Sequence, residues 1–263
     1  MGAMQKTAII IPCYNEENRL DSKKFYENST RNPEVHFIFM NDGSTDKTEE
    51  ILDALCRKNP TRMRQVTLQK NVGKAEAIRK GFLSAFEQNF ERIGYWDADL
   101  ATPLDIIPKF CEIMDYTGKN IVMGARVRLL GRNIQRRAIR HYLGRLFATC
   151  ASIVLGLPIY DTQCGAKLFK NNQKLQVVFR KSFRVKWTFD VEILARFMML
   201  ERFMGGERLK ESSVEYPLEE WEDIPGSKIK LVDFLLGALE LFNIFYFLRW
   251  PGGKKRYAEL IDH

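Results

Sequence analysis

Thr7-Ala8-Ile9-Ile10-Ile11-Pro12-Cys13-Tyr14-Asn15-Glu16 is a β-branched run that ends at a proline and breaks into polar residues. The pattern returns at Val35-His36-Phe37-Ile38-Phe39-Met40-Asn41-Asp42-Gly43. Between them and beyond, strand-like runs alternate with stretches of helical periodicity. Residues 45–57 read as a helix with Thr45 as N-cap and Thr48 and Glu49 in its first turn. Residues 64–68 read as a third strand, 73–88 as a helix, 93–96 as a fourth strand, 103–116 as a helix with proline near its start, and 121–123 as a fifth strand. This order predicts an α/β fold with a mainly parallel sheet covered by helices on both faces.

In open α/β sheets ligands bind where strand carboxyl ends meet their loops. Polar clusters stand after each expected strand: Tyr14-Asn15-Glu16, Asn41-Asp42-Gly43-Ser44, Asn71-Val72-Gly73-Lys74, Asp97-Ala98-Asp99 and Gly124-Ala125-Arg126. Any one alone is an ordinary turn; five on one rim describe a site. Asp97 and Asp99, two apart off a strand end, are placed to share a divalent cation, and hard oxygen ligands suit Mg2+ or Mn2+ completed by substrate phosphates. Gly73-Lys74 is not a P-loop, since no glycine lies five positions upstream of Gly73 and Ala75 replaces the hydroxyl residue; a GxGxxG fingerprint is also missing.

The composition is that of a folded protein, with 45% hydrophobic and 28% charged residues, which excludes disorder as the main state. The net charge of +8 is local. Residues 116–160 hold no carboxylate and eight cations, including Arg126, Arg132, Arg136, Arg140 and Arg145, so the remainder sums to zero. Arg132, Arg136 and Arg140 fall on one stripe of an expected helix over residues 136–154 and its approach, with no acid to pair with, which predicts an anionic partner: lipid phosphate or acidic headgroups. No nucleic-acid motif accompanies the charge. Five scattered cysteines read as reduced thiols, no basic-then-apolar leader is apparent, and Met1-Gly2-Ala3 reads as a tag remnant, so a cytoplasmic location is expected. Three dispersed histidines and the lack of a Gly-x-Ser-x-Gly elbow exclude zinc hydrolases and serine triads.

The second half is less regular: a loop at 161–165, a helix over 189–203, a strand near 213–216 and an apolar stretch to Trp250. Residues 4–230 read as one domain, 231–250 as an amphipathic helix and 251–263 as a basic tail. At 100° per residue Asp233, Gly237, Glu240 and Asn243 share one side of that helix, leaving Phe234, Leu235, Leu241, Phe242, Phe245 and Leu248 as the apolar remainder. The internal charges disfavour crossing a bilayer. The expectation is a helix lying in the headgroup layer, and the alternative a helix packed on the core.

Pro12-Cys13-Tyr14-Asn15-Glu16, Asn41-Asp42-Gly43-Ser44-Thr45-Asp46, Asn71-Val72-Gly73-Lys74 and Asp97-Ala98-Asp99, in that order and spacing, resemble the signatures of family 2 glycosyltransferases of GT-A fold. Asp161-Thr162-Gln163-Cys164-Gly165-Ala166-Lys167, Phe189-Asp190-Val191-Glu192 and Gly226-Ser227-Lys228 resemble the dolichyl- and polyprenyl-phosphate hexosyltransferases, the dolichyl-phosphate glucosyltransferase branch above all. The resemblance implies a Rossmann-like nucleotide-sugar half continuous with an acceptor half. It implies that Pro12, Tyr14, Asn15 and Glu16 line the nucleoside pocket, that Asp42 and Lys74 complete the base and ribose contacts, and that Asp97 holds the nucleotide sugar and Asp99 the metal. Arg126 would bind phosphate, Asp161 and Asp190 would face the acceptor, and Arg136, Arg140, Ser227 and Lys228 would meet phosphates. Ala101 stands where relatives often carry a metal-binding glutamine, and Trp221-Glu222-Asp223-Ile224 where some carry an arginine, which leaves Lys228 as the cation over the diphosphate.

The implied reaction moves a glucose- or mannose-type hexose from a UDP- or GDP-sugar to a polyprenyl phosphate at the cytosolic face of a membrane. A phosphate monoester carries about 1.5 to 2 negative charges near neutral pH, so it is already a nucleophile and needs little base help. Displacement in one in-line step inverts the anomeric carbon. Two rivals stand beside this reading: a family 2 enzyme acting on a saccharide or protein hydroxyl, with Asp161 or Asp190 as base, and a silent protein that only binds nucleotide sugar or lipid.

Overall fold

The computed structural model describes residues 5–135, 138–222 and 231–249, with 255 and 258; the side chains of 135, 138–141 and 231–235 lie outside that description. In chain order the elements are β1 (Thr7–Cys13), α1 (Ser22–Arg31), β2 (Val35–Asn41), α2 (Thr48–Lys58), β3 (Met63–Thr67), α3 (Lys74–Phe86), β4 (Arg92–Trp96), a 3-10 turn (Leu104–Ile106) and α4 (Ile107–Thr117). There follow β5 (Ile121–Ala125), β6 (Asn133–Gln135), α5 (Ala138–Leu155), β7 (Ala166–Lys170), α6 (Gln173–Arg180), α7 (Phe189–Met204), α8 (Leu209–Ser212), β8 (Ser213–Pro217), β9 (Glu220–Glu222) and α9 (Leu231–Arg249).

Two compact units result: one runs to Ile121 and takes back Gly165–Asn171, and the other comprises Val122–Cys164 and the chain from Asn172. In the first, the strands lie in the order β3-β2-β1-β4-β7. β1 pairs in parallel with β2 and β4, and β2 with β3, as βαβ crossovers require. β7 is antiparallel to β4, with Trp96 opposite Ala166. Ala8 to Ile11, Phe37 to Met40 and Ile93 to Trp96 are buried, the continuous apolar runs of strands covered on both faces. Phe25 stands edge-on to Phe37 and Phe39, and Phe82 to Phe169, so α1 and α3 are anchored by aromatic pairs.

Thr45 is not the cap of α2. The helix starts at Thr48, where Asp46 accepts from both the Thr48 amide and hydroxyl, and Thr45 is drawn to Asn15. The expected proline-led helix is split into the 3-10 turn after Pro103 and α4, which carries Pro108 in its first turn.

In the second unit, β5 lies beside β8, and Ile134 of β6 pairs in parallel with Trp221 of β9. The helices pack as α5 on α9, α7 on α9 and α6 on α7. α7 is buried along most of its length around Arg196, whose guanidinium meets Glu192 and the carbonyls of Val178, Lys181 and Ser182. A buried guanidinium with that many acceptors avoids the cost of an unpaired charge. Among the described residues no helix is long and apolar enough to cross a membrane.

α9 turns differently from the sequence expectation. Gly237 lies against the Trp187 ring, where a Cβ would come within 2.4 Å of it, and the Glu240 carboxylate accepts from the amides of Lys186, Trp187 and Thr188 and from the Thr188 hydroxyl. Gly237 and Glu240 of the polar side therefore face protein, while Asn243 is exposed. Three amide donors ahead of α7 need an acceptor, and Glu240 supplies it. Leu241, Ile244, Phe247 and Leu248 are buried beside it, while Leu236, Leu239, Phe242, Phe245 and Tyr246 are exposed.

Candidate active site

Three loops of the first unit are tied together by their own side chains. Asn15 adopts a left-handed φ of 51°, and its side-chain oxygen accepts from the Thr45 amide at 2.9 Å while its own amide donates to Ser44 Oγ. The Glu16 amide donates to Thr48 Oγ1 at 2.7 Å. Asn accepts this backbone more readily than most residues, so Asn15 combines a turn and a cross-loop tie. The buried Asp42 carboxylate accepts from the amides of Val72 at 2.7 Å and Gly73 at 2.9 Å, fastening the third loop to the second. Burial pushes this carboxyl above its ordinary value, while the two amides and Lys80 pull it back. Gly43 has φ +64°, and a Cβ there would meet the backbone of Lys70 and Asn71 at 2.7 Å, so a side chain is excluded at this crossing. Asp42, which the resemblance sets at base and ribose, also fastens the loop of Val72 and Gly73 to its own.

β4 then delivers the carboxylate pair. Trp96 is fully buried and donates from Nε1 to the Thr102 carbonyl, which closes the turn carrying Asp97 and Asp99. Lys74 Nζ, at the start of α3, lies 2.5 Å from Asp97 Oδ1. Asp99 accepts from the Ala101 amide at 3.2 Å, and Arg19 approaches its other oxygen at 3.6 Å while pairing with Glu16 at 2.5 Å. Burial first, and then the Asp97 charge, push the Asp99 carboxyl above its ordinary value; the Ala101 amide, Lys74 and Arg19 oppose them. Ala101, lacking the relatives' glutamine, thus still serves the second aspartate through its backbone.

These residues fit a divalent cation of the Mg2+ or Mn2+ type. The two carboxylates provide hard oxygens and already face cations, and no cluster of three or more His, Cys, Asp or Glu with metal-holding geometry occurs among the described residues. A set of two leaves most of the shell to water and to ligand phosphates. Sequence reasoning missed Arg19; its signal was a lone cation three residues after Glu16, legible only once the loop folds back on Asp99.

In the second unit Arg126 and Asp161 form a bidentate pair, Nε to Oδ2 at 2.6 Å and the terminal nitrogen to Oδ1 at 2.8 Å, with the Arg126 amide also donating to Oδ2. The Gln163 amide is a further donor at 3.1 Å. Glu215 of β8 accepts from the amides of Tyr160 and Asp161, both at 2.8 Å, and so fixes the loop; its role was also missed. The Arg126 guanidinium lies 5.2 Å from the centre of the Trp221 ring. Asp190 is buried in the first turn of α7.

Arg132 corrects the expected stripe. It lies ahead of β6 rather than on α5, and pairs with Glu219 at 2.7 Å, an acid brought in by β9. Arg136, Ser227 and Lys228 lie outside the described residues, as does the side chain of Arg140.

Residues 8–181 match the family described as glycosyl transferase family 2. The chain is 32% identical over 256 residues to a dolichyl-phosphate beta-glucosyltransferase of Trichomonas vaginalis, covering 92% of this chain and 72% of that protein. It is 31% identical to the dolichyl-phosphate beta-glucosyltransferase of Homo sapiens, over 86% of this chain and 70% of that one. Among solved structures, it superposes on glucosyl-3-phosphoglycerate synthase of Mycobacterium tuberculosis with a TM-score of 0.62 at 15% identity, over 92% and 80% of the two chains. A complex of that enzyme with Mn2+, uridine diphosphate and phosphoglyceric acid gives a TM-score of 0.61 at 16% identity, over 92% and 78%. At such identity the likeness speaks for the fold, which is GT-A. A matched segment of that length, its four loop signatures gathered at the carboxyl ends of parallel strands, makes this chain a member of glycosyl transferase family 2.

Proposed function

We propose that the protein transfers glucose, with inversion, from UDP-glucose to a polyprenyl phosphate such as dolichyl phosphate, using Mg2+ or Mn2+, as a peripheral protein on a membrane surface. The observation that carries this reading is the pair Asp97 and Asp99 with Lys74 and Arg19 turned onto it, in a chain whose relatives at 32% and 31% identity are dolichyl-phosphate glucosyltransferases.

The chemistry follows from the residues. The knit of Asn15, Ser44, Thr45 and Asp42 holds the rim that receives the nucleoside, so little ordering remains for the ligand to impose. Asp97 and Asp99 hold the cation, which when bound neutralises the diphosphate and lets it leave. Lys74 and Arg19, paired with carboxylates, exchange those partners for diphosphate oxygens when the donor enters. The acceptor phosphate is assigned to the cationic segment that follows Arg126, as far as Arg145, because the Arg126 guanidinium is itself held by Asp161. It attacks without a general base, in keeping with Asp161 being occupied by Arg126 and the Gln163 amide. That commitment argues against Asp161 as the base of the hydroxyl-acceptor rival, which needs a carboxylate open to a proton.

The membrane reading is supported by large apolar side chains on the outer faces of two packed helices: Tyr142, Leu146 and Ile153 of α5, and Leu236, Leu239 and Phe242 of α9. Large apolar side chains left exposed on neighbouring helices favour an interaction surface. The deciding experiment offers UDP-glucose, GDP-mannose, a short polyprenyl phosphate and a free saccharide, with Mn2+ or Mg2+. Glucosyl-phosphoprenol is the expected product, formed with inversion. Transfer to the saccharide and none to the lipid phosphate would overturn the assignment, and so would binding without turnover.

A further inference from the structure

The antiparallel pair β4–β7 does more than extend the sheet. One step beyond Trp96 and Ala166, the Asp97 amide donates to the Gly165 carbonyl at 3.1 Å. The backbone of residue 165 therefore lies directly against Asp97. A Cβ built on Gly165 would stand 1.9 Å from Asp97 Oδ2, 2.2 Å from its Cγ and 2.6 Å from Oδ1. Gly165 is not among the glycines with positive φ, so its backbone is one that any residue adopts. Room for the carboxylate is what requires glycine here.

The geometry points to Gly165 as a positioning residue for the donor and metal site: its bare backbone is the wall that sets the Asp97 carboxylate against Lys74. The wall is on a different part of the chain from the carboxylate and comes from the residue just ahead of β7. The three heavy atoms nearest to a methyl group at 165 all belong to the Asp97 carboxylate. Such a methyl collides with the end of a short side chain, which escapes by rotating about χ1 and takes the carboxylate away from Lys74 Nζ. Gly94 is the contrast within the same strand pair. A Cβ there would meet the Lys167 carbonyl oxygen at 2.4 Å, a backbone atom that cannot move without opening the ladder. Substitution at 94 should damage the fold; substitution at 165 should spare the fold and damage the site. A displacement of about 1 Å at such a site can cost on the order of a hundredfold in rate.

This inference rests on the reading of Asp97 as a donor ligand, and the test separates the two. Four full-length proteins are compared: wild type, Gly165→Ala, Asp97→Ala and the double variant. Mn2+ binding in the presence of UDP is followed by electron paramagnetic resonance, UDP affinity by calorimetry and the metal-free melting temperature as a control, with Gly94→Ala as the reference for a broken strand pair. Gly165→Ala is expected to melt within about 2 °C of wild type, and to weaken UDP–Mn2+ binding at least about tenfold. In the Asp97→Ala background it is expected to weaken binding no further, because the two act as a unit. Wild-type affinity in Gly165→Ala, an additive loss in the double variant, or a melting loss as large as that of Gly94→Ala would each overturn the positioning role while leaving Asp97 as a ligand. Undiminished binding in Asp97→Ala alone is a different result: it overturns the donor reading, and the inference with it.

Discussion

Two ion pairs, Lys74 with Asp97 and Arg126 with Asp161, are built in opposite ways. In the first unit Lys74 and Asp97 touch at one atom pair, with side chains 46% and 32% exposed. In the second, Arg126 and Asp161 meet through two parallel bonds with side chains only 14% and 8% exposed, and the loop carrying Asp161 is held in turn by Glu215. A half-exposed lysine pair is worth about 0–1 kcal/mol and can trade its partner for a ligand. A buried bidentate pair is costly to break, because the survivor is left charged and unpaired. The first pair is built so that it can exchange a partner, the second so that it holds a loop in place. The sequence presents both as a cation and an aspartate in polar loops.

That contrast can be broken by experiment. Arg126→Ala should have the largest effect, lowering stability by about 3–5 kcal/mol, seen as a fall in the urea midpoint with an unchanged slope; Arg126→Lys, which keeps charge without the fork, should recover part of it. If Arg126→Ala is as stable as wild type and only acceptor use suffers, Arg126 is a phosphate ligand as the family resemblance implied. Asp99→Asn comes next. The amide keeps the shape and loses ligand charge, so metal-dependent transfer should drop on the order of a hundredfold, about 2.7 kcal/mol in barrier, with little change in melting temperature. Full turnover at equal metal would remove Asp99 from the site.

Glu240→Ala is expected to cost about 1–2 kcal/mol, a capping-type loss at the amides ahead of α7. The urea midpoint checks it, and no loss would mean that the amides of residues 186–188 do not depend on Glu240. The smallest stability effect belongs to Lys74→Met, within about 0.5 kcal/mol of wild type. The same variant should raise the Michaelis constant for UDP-glucose several-fold and leave that for polyprenyl phosphate alone; equal changes in both would merge the two regions' roles.

The alternation of strands and helices through residue 125 was legible because it rests on local physics. β-branched runs ending at Pro12 or at Asn41-Asp42-Gly43, and amphipathic runs between them, have few other ways to bury their apolar atoms. The same local logic located the loop signatures, since βα loops carry ligand sites whatever the details of packing. Tertiary structure alone decided which polar groups in those loops are spent on the protein. Asp42 accepts from the amides of Val72 and Gly73 and Asp161 pairs with Arg126; elsewhere Arg132 pairs with Glu219 and Glu240 accepts from the amides of residues 186–188, each partner well removed in sequence. Hydrophobic periodicity says nothing about such pairs, because a carboxylate facing water and one facing a distant N–H have the same spacing along the chain. α9 shows the consequence: its pattern placed Gly237 and Glu240 on the polar side, and packing on Trp187 with three waiting amides set those two residues against protein. Strand β7 was missed for the same reason, since Ala166-Lys167-Leu168-Phe169-Lys170 becomes a strand through the ladder it forms with β4, and only that ladder sets Gly165 against Asp97.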